Sequence, residues 1–229
     1  MDSHRSIPIE SPKARRCARG VWGVYARSTT FQARPESVDS GIRLFRDEVM
    51  SPLQAMRGCA GFSMIADRRS ARCIATTAWR TLEDMHASVA AVRPMRDRME
   101  KTLGGFAEVE EWDIAAVHRE RHASEDSCMR VTWLRVDSGQ EAHVADAFRF
   151  ASLPAMQHRR GFCGASLLMH REWGRAVVSV SYRDQEAMAG DHGLVGMLPS
   201  DGTSAAGVSM IDVREFDVVM AHLHVPELV

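Results

Sequence analysis

The 229-residue sequence is 45% hydrophobic and 26% charged, the composition of a globular protein with a core to bury. Its formal net charge of −1 excludes the broad basic footprint of a nucleic-acid binder, and no run approaches the roughly 18 apolar residues of a membrane helix. Five scattered cysteines (Cys17, Cys59, Cys73, Cys128 and Cys163) form no Cys-x-x-Cys pair, so no zinc site or redox dithiol is expected.

Residues 1–19, with Lys13, Arg15, Arg16 and Arg19 and no hydrophobic periodicity, read as a disordered basic tail. Arg15-Arg16 lacks the apolar stretch of a secretory leader, and free thiols without a leader place the chain in the cytoplasm. Residues 20–27 predict a strand. A helix then opens at Pro35, with Val38, Ile42, Phe45, Val49, Leu53 and Met56 on one face, and Pro52 is expected to kink or shorten its last turns. Gly58 and Gly61 lead into a strand at 62–67, Asp67 to Ser70 make a polar turn, and 72–80 form the next strand. Thr81 is the expected N-cap of a second helix, with Leu82, Met85, Val89, Val92 and Met99 on its buried stripe. Gly104-Gly105 ends it before a last strand from Glu108.

The order β-α-β-β-α-β is that of a ferredoxin-like unit, and it recurs. Residues 57–85 match 160–188 without a gap, nine of 29 positions being identical at a shift of 103. The second set comprises a strand at 130–136, a helix at 140–157 bearing Val144, Phe148, Ala151 and Met156, strands at 165–170 and 175–183, and a Gly-weakened helix from Asp184. Its closing strand, Val213-Arg-Glu-Phe-Asp-Val, matches Val109-Glu-Glu-Trp-Asp-Ile at a shift of 104. The tail 221–229 is expected to pack over the other unit. The expected fold is therefore α+β: two tandem repeats, at 20–119 and 128–229 with a linker at 120–127, whose sheets pack on one another within the chain.

Two such units, each with Gly-x-x-Gly-x-Ser before the second strand and an aromatic-Arg pair (Trp79-Arg80, Tyr182-Arg183) ending the third, resemble the antibiotic biosynthesis monooxygenase (ABM) domain family. The chain over residues 20–229 is also similar to tandem-domain actinobacterial proteins. The resemblance implies a dimeric α/β barrel, closed here as a monomeric pseudo-dimer or a homodimer. It also implies a cofactor-independent monooxygenase that oxidises a small aromatic or enolic molecule with O₂, in a pocket between sheet and helices. Trp79, His86, Tyr25 and Tyr182 are the candidate ligand-binding residues, and Ala189 and Tyr182 in place of His86 and Trp79 make the first unit the better site. A haem-degrading branch uses an Asn, a Trp and a His; Trp79 and His86 match loosely, but the chain has no asparagine. Alternatives are a non-catalytic binder of a small hydrophobic molecule or haem, or a structural or stress-response interaction protein whose pocket is filled by some of its fourteen methionines. Arg93, His118 to His122, His222 and His224 are expected to face solvent. Cys59 and Cys163 occupy equivalent turns beside Arg57 and Arg160, and His192 stands near the missing second His.

Overall fold

A computed structural model of the protein describes residues 23–120, 127–191 and 207–223. The basic tail, most of the linker, His122, His192, His224 and the end of the C-terminal tail lie outside them. The first strand comes later than expected: β1 is Tyr25–Gln32, because β-branched Thr29 and Thr30 and aromatic Phe31 carry the pleat past Arg27. The helical layer over it consists of α1 (Val38–Leu44) and α2 (Met50–Gln54), joined by a π-helical turn at Phe45–Val49. Pro52 accounts for the turn. It has no N–H to donate to the Glu48 carbonyl four residues back, so the ladder widens upstream of the proline.

Next come β2 (Cys59–Asp67) and β3 (Arg72–Trp79). The expected single helix after them is two, α3 (Leu82–Ala87) and α4 (Val89–Leu103), parted at Ser88. Thr81 caps α3 by accepting the Asp84 N–H at 3.0 Å, and Gly104 ends α4 with a left-handed φ of 78°. The expected stripe holds in part: Met85 and Met99 are buried and Val92 packs half-buried against the core, while Leu82 and Val89, on either side of the break, are exposed. The first half closes with β4 (Ala107–Arg119).

The second half repeats the plan with β5 (Cys128–Val136), α5 (Glu141–Ala147), a π-helical turn at Phe148–Ser152, and α6 (Leu153–Gln157). Pro154 here plays the part of Pro52. Ala151, expected on the buried face, is exposed, and Leu153 is buried instead. Then follow β6 (Phe162–His170), β7 (Arg175–Tyr182), α7 (Gln185–Ala189) and β8 (Val208–Leu223).

The strands form a closed antiparallel barrel in the order β1-β3-β2-β8-β5-β7-β6-β4. Two sheets facing each other were expected; the structure joins their edges by hydrogen bonds. Asp113–Arg119 of β4 pair with β6, and Asp217–Leu223 of β8 pair with β2. Ala221 to Leu223 are thus strand residues, and no sheet edge is left open in the barrel. Alternation along each strand then defines three cores: one between each half's strands and helices, and one inside the barrel. Among the described residues no helix is long and apolar enough to cross a membrane.

Candidate functional site

Strand alternation decides which sequence candidates can meet. On β1 and β3, Tyr25, Arg27, Thr77 and Trp79 turn to the helices, while Ala26, Ser28, Thr30, Ile74, Thr76 and Ala78 turn into the barrel. Trp79 pairs across the ladder with half-buried Tyr25. Its side chain is fully buried, and its indole N–H donates to Thr77 Oγ1 at 3.0 Å. His86 lies outside on α3, with Nε2 3.1 Å from Glu111 Oε2. Tyr182 is fully buried in the other half and donates its hydroxyl to Asp191 Oδ2 at 3.0 Å, while Arg159 holds Oδ1 at 2.6 Å. Burial, and then the Asp191 charge, push the Tyr182 hydroxyl well above its ordinary pKa.

Arg93 is exposed as expected. His118 corrects expectation: it is half-buried, its Nε2 lies 2.8 Å from Gln157 Nε2, and its ring stacks on Phe162. His222 is exposed, with its ring stacked on Phe62. Burial pushes the Cys59 thiol up, and Arg57 pairs with Asp84 at 3.4 Å, so that turn holds no activated thiolate. Cys163 is buried.

Two features escaped sequence reasoning. The first is a buried arginine under α3. Arg27 gives Nε and Nη2 to Glu111 Oε1 at 3.1 and 2.8 Å, Nη1 to Ser88 Oγ at 3.0 Å, and Nη2 also to the Met85 carbonyl at 2.8 Å. Burial raises the Glu111 pKa, but the bonds and charge of Arg27, joined by His86, outweigh it and hold the carboxyl below its ordinary range. Arg130 repeats this with Glu215 Oε1 at 3.3 and 2.8 Å, the Met188 carbonyl at 2.9 Å and the Asp191 carbonyl. Arg27 and Arg130 are identical residues at the repeat's own shift of 103, which is the sequence signal that would have found them.

The second feature is a cavity of about 130 Å³ inside the barrel. Its walls are apolar (Ile65, Ile74, Val131, Leu168 and Val177 among them), with the indoles of Trp112 and Trp133. The hydroxyl residues Thr30, Ser63, Thr76, Ser166 and Ser179 also line it, and Ser28 accepts the Trp112 indole N–H at 2.8 Å. The hollow has a cause in the unlike inward residues of two strands. β1 sends Ala26, Ser28 and Thr30 inward where its counterpart β5 sends Met129, Val131 and Trp133, so one wall is short of side-chain volume. Above the cavity Arg175 lies over the Trp112 ring and Arg72 over Trp133, at 5.8 and 4.8 Å. Arg175 also pairs with Glu110 at 2.6 Å. None of Tyr25, Trp79, His86 and Tyr182 lines this space. Among the described residues, no three His, Cys, Asp or Glu side chains gather to hold a metal ion.

This barrel is the fold of known ABM-like structures. The chain is similar to the crystal structure of a putative monooxygenase from Fusobacterium nucleatum, with a TM-score of 0.68 at 10% identity over 89% of this chain and 96% of that one. An anthrone oxidase-like protein aligns with a TM-score of 0.60 at 12% identity, over 93% and 98%. A ferredoxin-fold protein related to antibiotic biosynthesis monooxygenases, from Listeria monocytogenes, gives 0.51 at 6% identity, over 86% and 95%. No protein-family model matches the chain. In sequence, it is 46% identical to the uncharacterised protein Rv2557 of Mycobacterium tuberculosis over 208 residues, 91% of this chain and 93% of that protein. It is also 46% identical to the uncharacterised protein Rv2558 of that organism over 207 residues, 90% and 88%. The chain belongs to the family of these two mycobacterial proteins.

Proposed function

We propose that the protein binds a small aromatic or enolic molecule inside its barrel, and that the chemistry such a site serves is cofactor-independent oxidation by O₂. The observation that carries the reading is the lumen cavity, whose apolar walls, two indoles and scattered hydroxyls suit a flat ring with a polar substituent. Oxidation without a cofactor asks the protein to orient a phenol or enol, favour its anion and keep water away. The apolar barrel walls serve the last demand. The names of the solved ABM-like relatives in fold support the same class of chemistry. We further read the barrel as two copies of one ferredoxin-like unit, so that a single chain closes it and acts as a monomeric pseudo-dimer in a reducing cytoplasm.

A second reading puts the ligand on the helix side of the first half, at Trp79, His86 and Tyr25, with Tyr182 as the second-half counterpart. The chain of contacts Arg27–Glu111–His86, whose last member is Ala189 in the other half, favours it. Haem fits neither place well. Trp79 is fully buried while His86 stands outside on α3, so a macrocycle on that imidazole reaches the indole only if α3 moves.

The test is native mass spectrometry of gently purified protein, followed by O₂ uptake with a panel of phenols and enols. A retained small aromatic mass, or uptake blocked by filling the lumen, supports the first reading. Uptake that survives lumen filling but falls with His86→Ala supports the second. Bare protein with no uptake returns the barrel to a structural role.

A further inference from the structure

Resting on the lumen reading, we infer that the ligand is a neutral single-ring hydroxyl donor and that Glu110 is the residue that selects it. Size comes first. The cavity measures about 130 Å³, and an apolar protein cavity of about 150 Å³ accommodates one benzene ring. A single ring fits the space.

Charge decides the rest. Glu110 is the one ionisable side chain among the described residues that line the cavity. Its side chain is 12% exposed, and its Oε1 accepts from Arg175 Nη1 at 2.6 Å. Oε2 has no protein partner among the described residues. A carboxylate only accepts, so the free oxygen calls for an O–H or N–H on the ligand. A ligand that enters already as an anion would meet that carboxylate while the nearest guanidinium is engaged, and would enter at a cost. A neutral hydroxyl instead has Glu110 as the acceptor for its proton when its anion forms. Other polar groups compete poorly. The Ser28 hydroxyl already holds the Trp112 N–H, and the remaining lining hydroxyls are uncharged and make weaker hydrogen bonds than a carboxylate.

The second half supplies no rival carboxylate. The position equivalent to Glu110 at the shift of 104 is Arg214, tied to Asp212 at 2.9 Å. The cavity therefore has one strong acceptor and one orientation for a ring: hydroxyl toward Glu110 beneath Arg175, face toward the indoles.

Phenol, anisole and benzoate are titrated into the full-length protein, with tryptophan fluorescence and thermal melting as readouts, since Trp112 and Trp133 line the cavity. Phenol is expected to bind about tenfold or more tightly than anisole, which has lost the donor, and benzoate more weakly still. Glu110→Gln, which removes the charge, is expected to reduce the phenol-over-anisole preference. Ala26→Met, which installs the residue of the counterpart position Met129, is expected to abolish binding of both rings; Ser179→Leu, from another strand, replaces it if that variant melts early. Equal affinity for phenol and anisole, or a preference unchanged in Glu110→Gln, overturns the role of Glu110 and leaves the lumen reading standing. No ring bound by the wild type, or binding that survives lumen filling, overturns the lumen reading itself.

Discussion

Arg27 and Arg130 do the same work 103 residues apart: each pins the end of a short helix to the strand pair beneath it, through a carboxylate and a helix carbonyl. The barrel lumen tells the opposite story. At equivalent positions the first half holds Ser28 bonded to Trp112, and the second holds Val131 beside Phe216, with the hydrogen bond gone from both partners together. The helix-facing network supports the backbone of both halves and is kept. The lumen wall differs between the halves, and the hollow lies against the strand with the smaller inward residues. Similarity between the halves thus marks scaffold, and dissimilarity marks the candidate site.

The comparison can be broken most forcefully at Trp79. Trp79→Ala removes a fully buried indole and is expected to cost about 3–5 kcal/mol in urea unfolding, as core truncations do. A loss under 1 kcal/mol accompanied by loss of ligand binding would instead make Trp79 a ligand contact and revive the helix-side reading.

Arg27→Met and Arg130→Met probe the shared scaffold. Each strands a carboxylate and a helix carbonyl, and each is expected to cost about 2–3 kcal/mol. Similar losses sharpen the claim of common architecture; a loss confined to one half breaks it.

Ser28→Val copies the second half without its partner change and leaves the Trp112 N–H unpaired, at an expected cost of about 1–2 kcal/mol. Trp112→Phe in the same chain installs the full second-half pair. The double variant is expected to be more stable than the sum of the singles predicts, by a double-mutant cycle on chemical denaturation. Additive losses would mean that the two positions did not change as a pair.

The smallest effects belong to His86 and Glu111. His86→Ala, at an exposed site, is expected to change stability by no more than about 0.5 kcal/mol. The Glu111 carboxyl sits below its unfolded value, so its contribution is present above the ordinary carboxylate range and is lost as pH falls through the depressed folded value. Melting temperature between about pH 5 and pH 2 is therefore expected to fall less steeply in Glu111→Gln than in the wild type. Identical slopes would remove Glu111 from the account.

Local structure was legible wherever a residue acts on its own neighbours. Thr81 capped its helix, Gly104 ended the next, and the hairpin turn at Asp67 to Ser70 formed where polar residues demanded it. Errors arose where the cause lay further away. The stripe through Leu82 and Val89 assumed one continuous helix, and Ser88 broke it because its hydroxyl donates to the Met85 carbonyl and its oxygen receives Arg27 from a distant strand. Strand alternation turns Trp79 and Tyr182 to the helices, the side on which the pocket was expected, while the lumen cavity lies on the other face of the same strands.

The sequence by itself determined the order of strands and helices, because periodicity and caps are written in neighbouring residues. Its Gly-x-x-Gly-x-Ser and aromatic-Arg motifs carried the resemblance to the ABM class. Only the tertiary structure decided that the two sheets join at their edges, through β4 with β6 and β8 with β2. Those pairings bring together strands far apart in the chain, and backbone hydrogen bonds carry no residue code that announces them. The cavity follows from the same closure: Ala26, Ser28 and Thr30 leave a void only once Val131, Trp133 and Leu168 stand opposite and do not fill it.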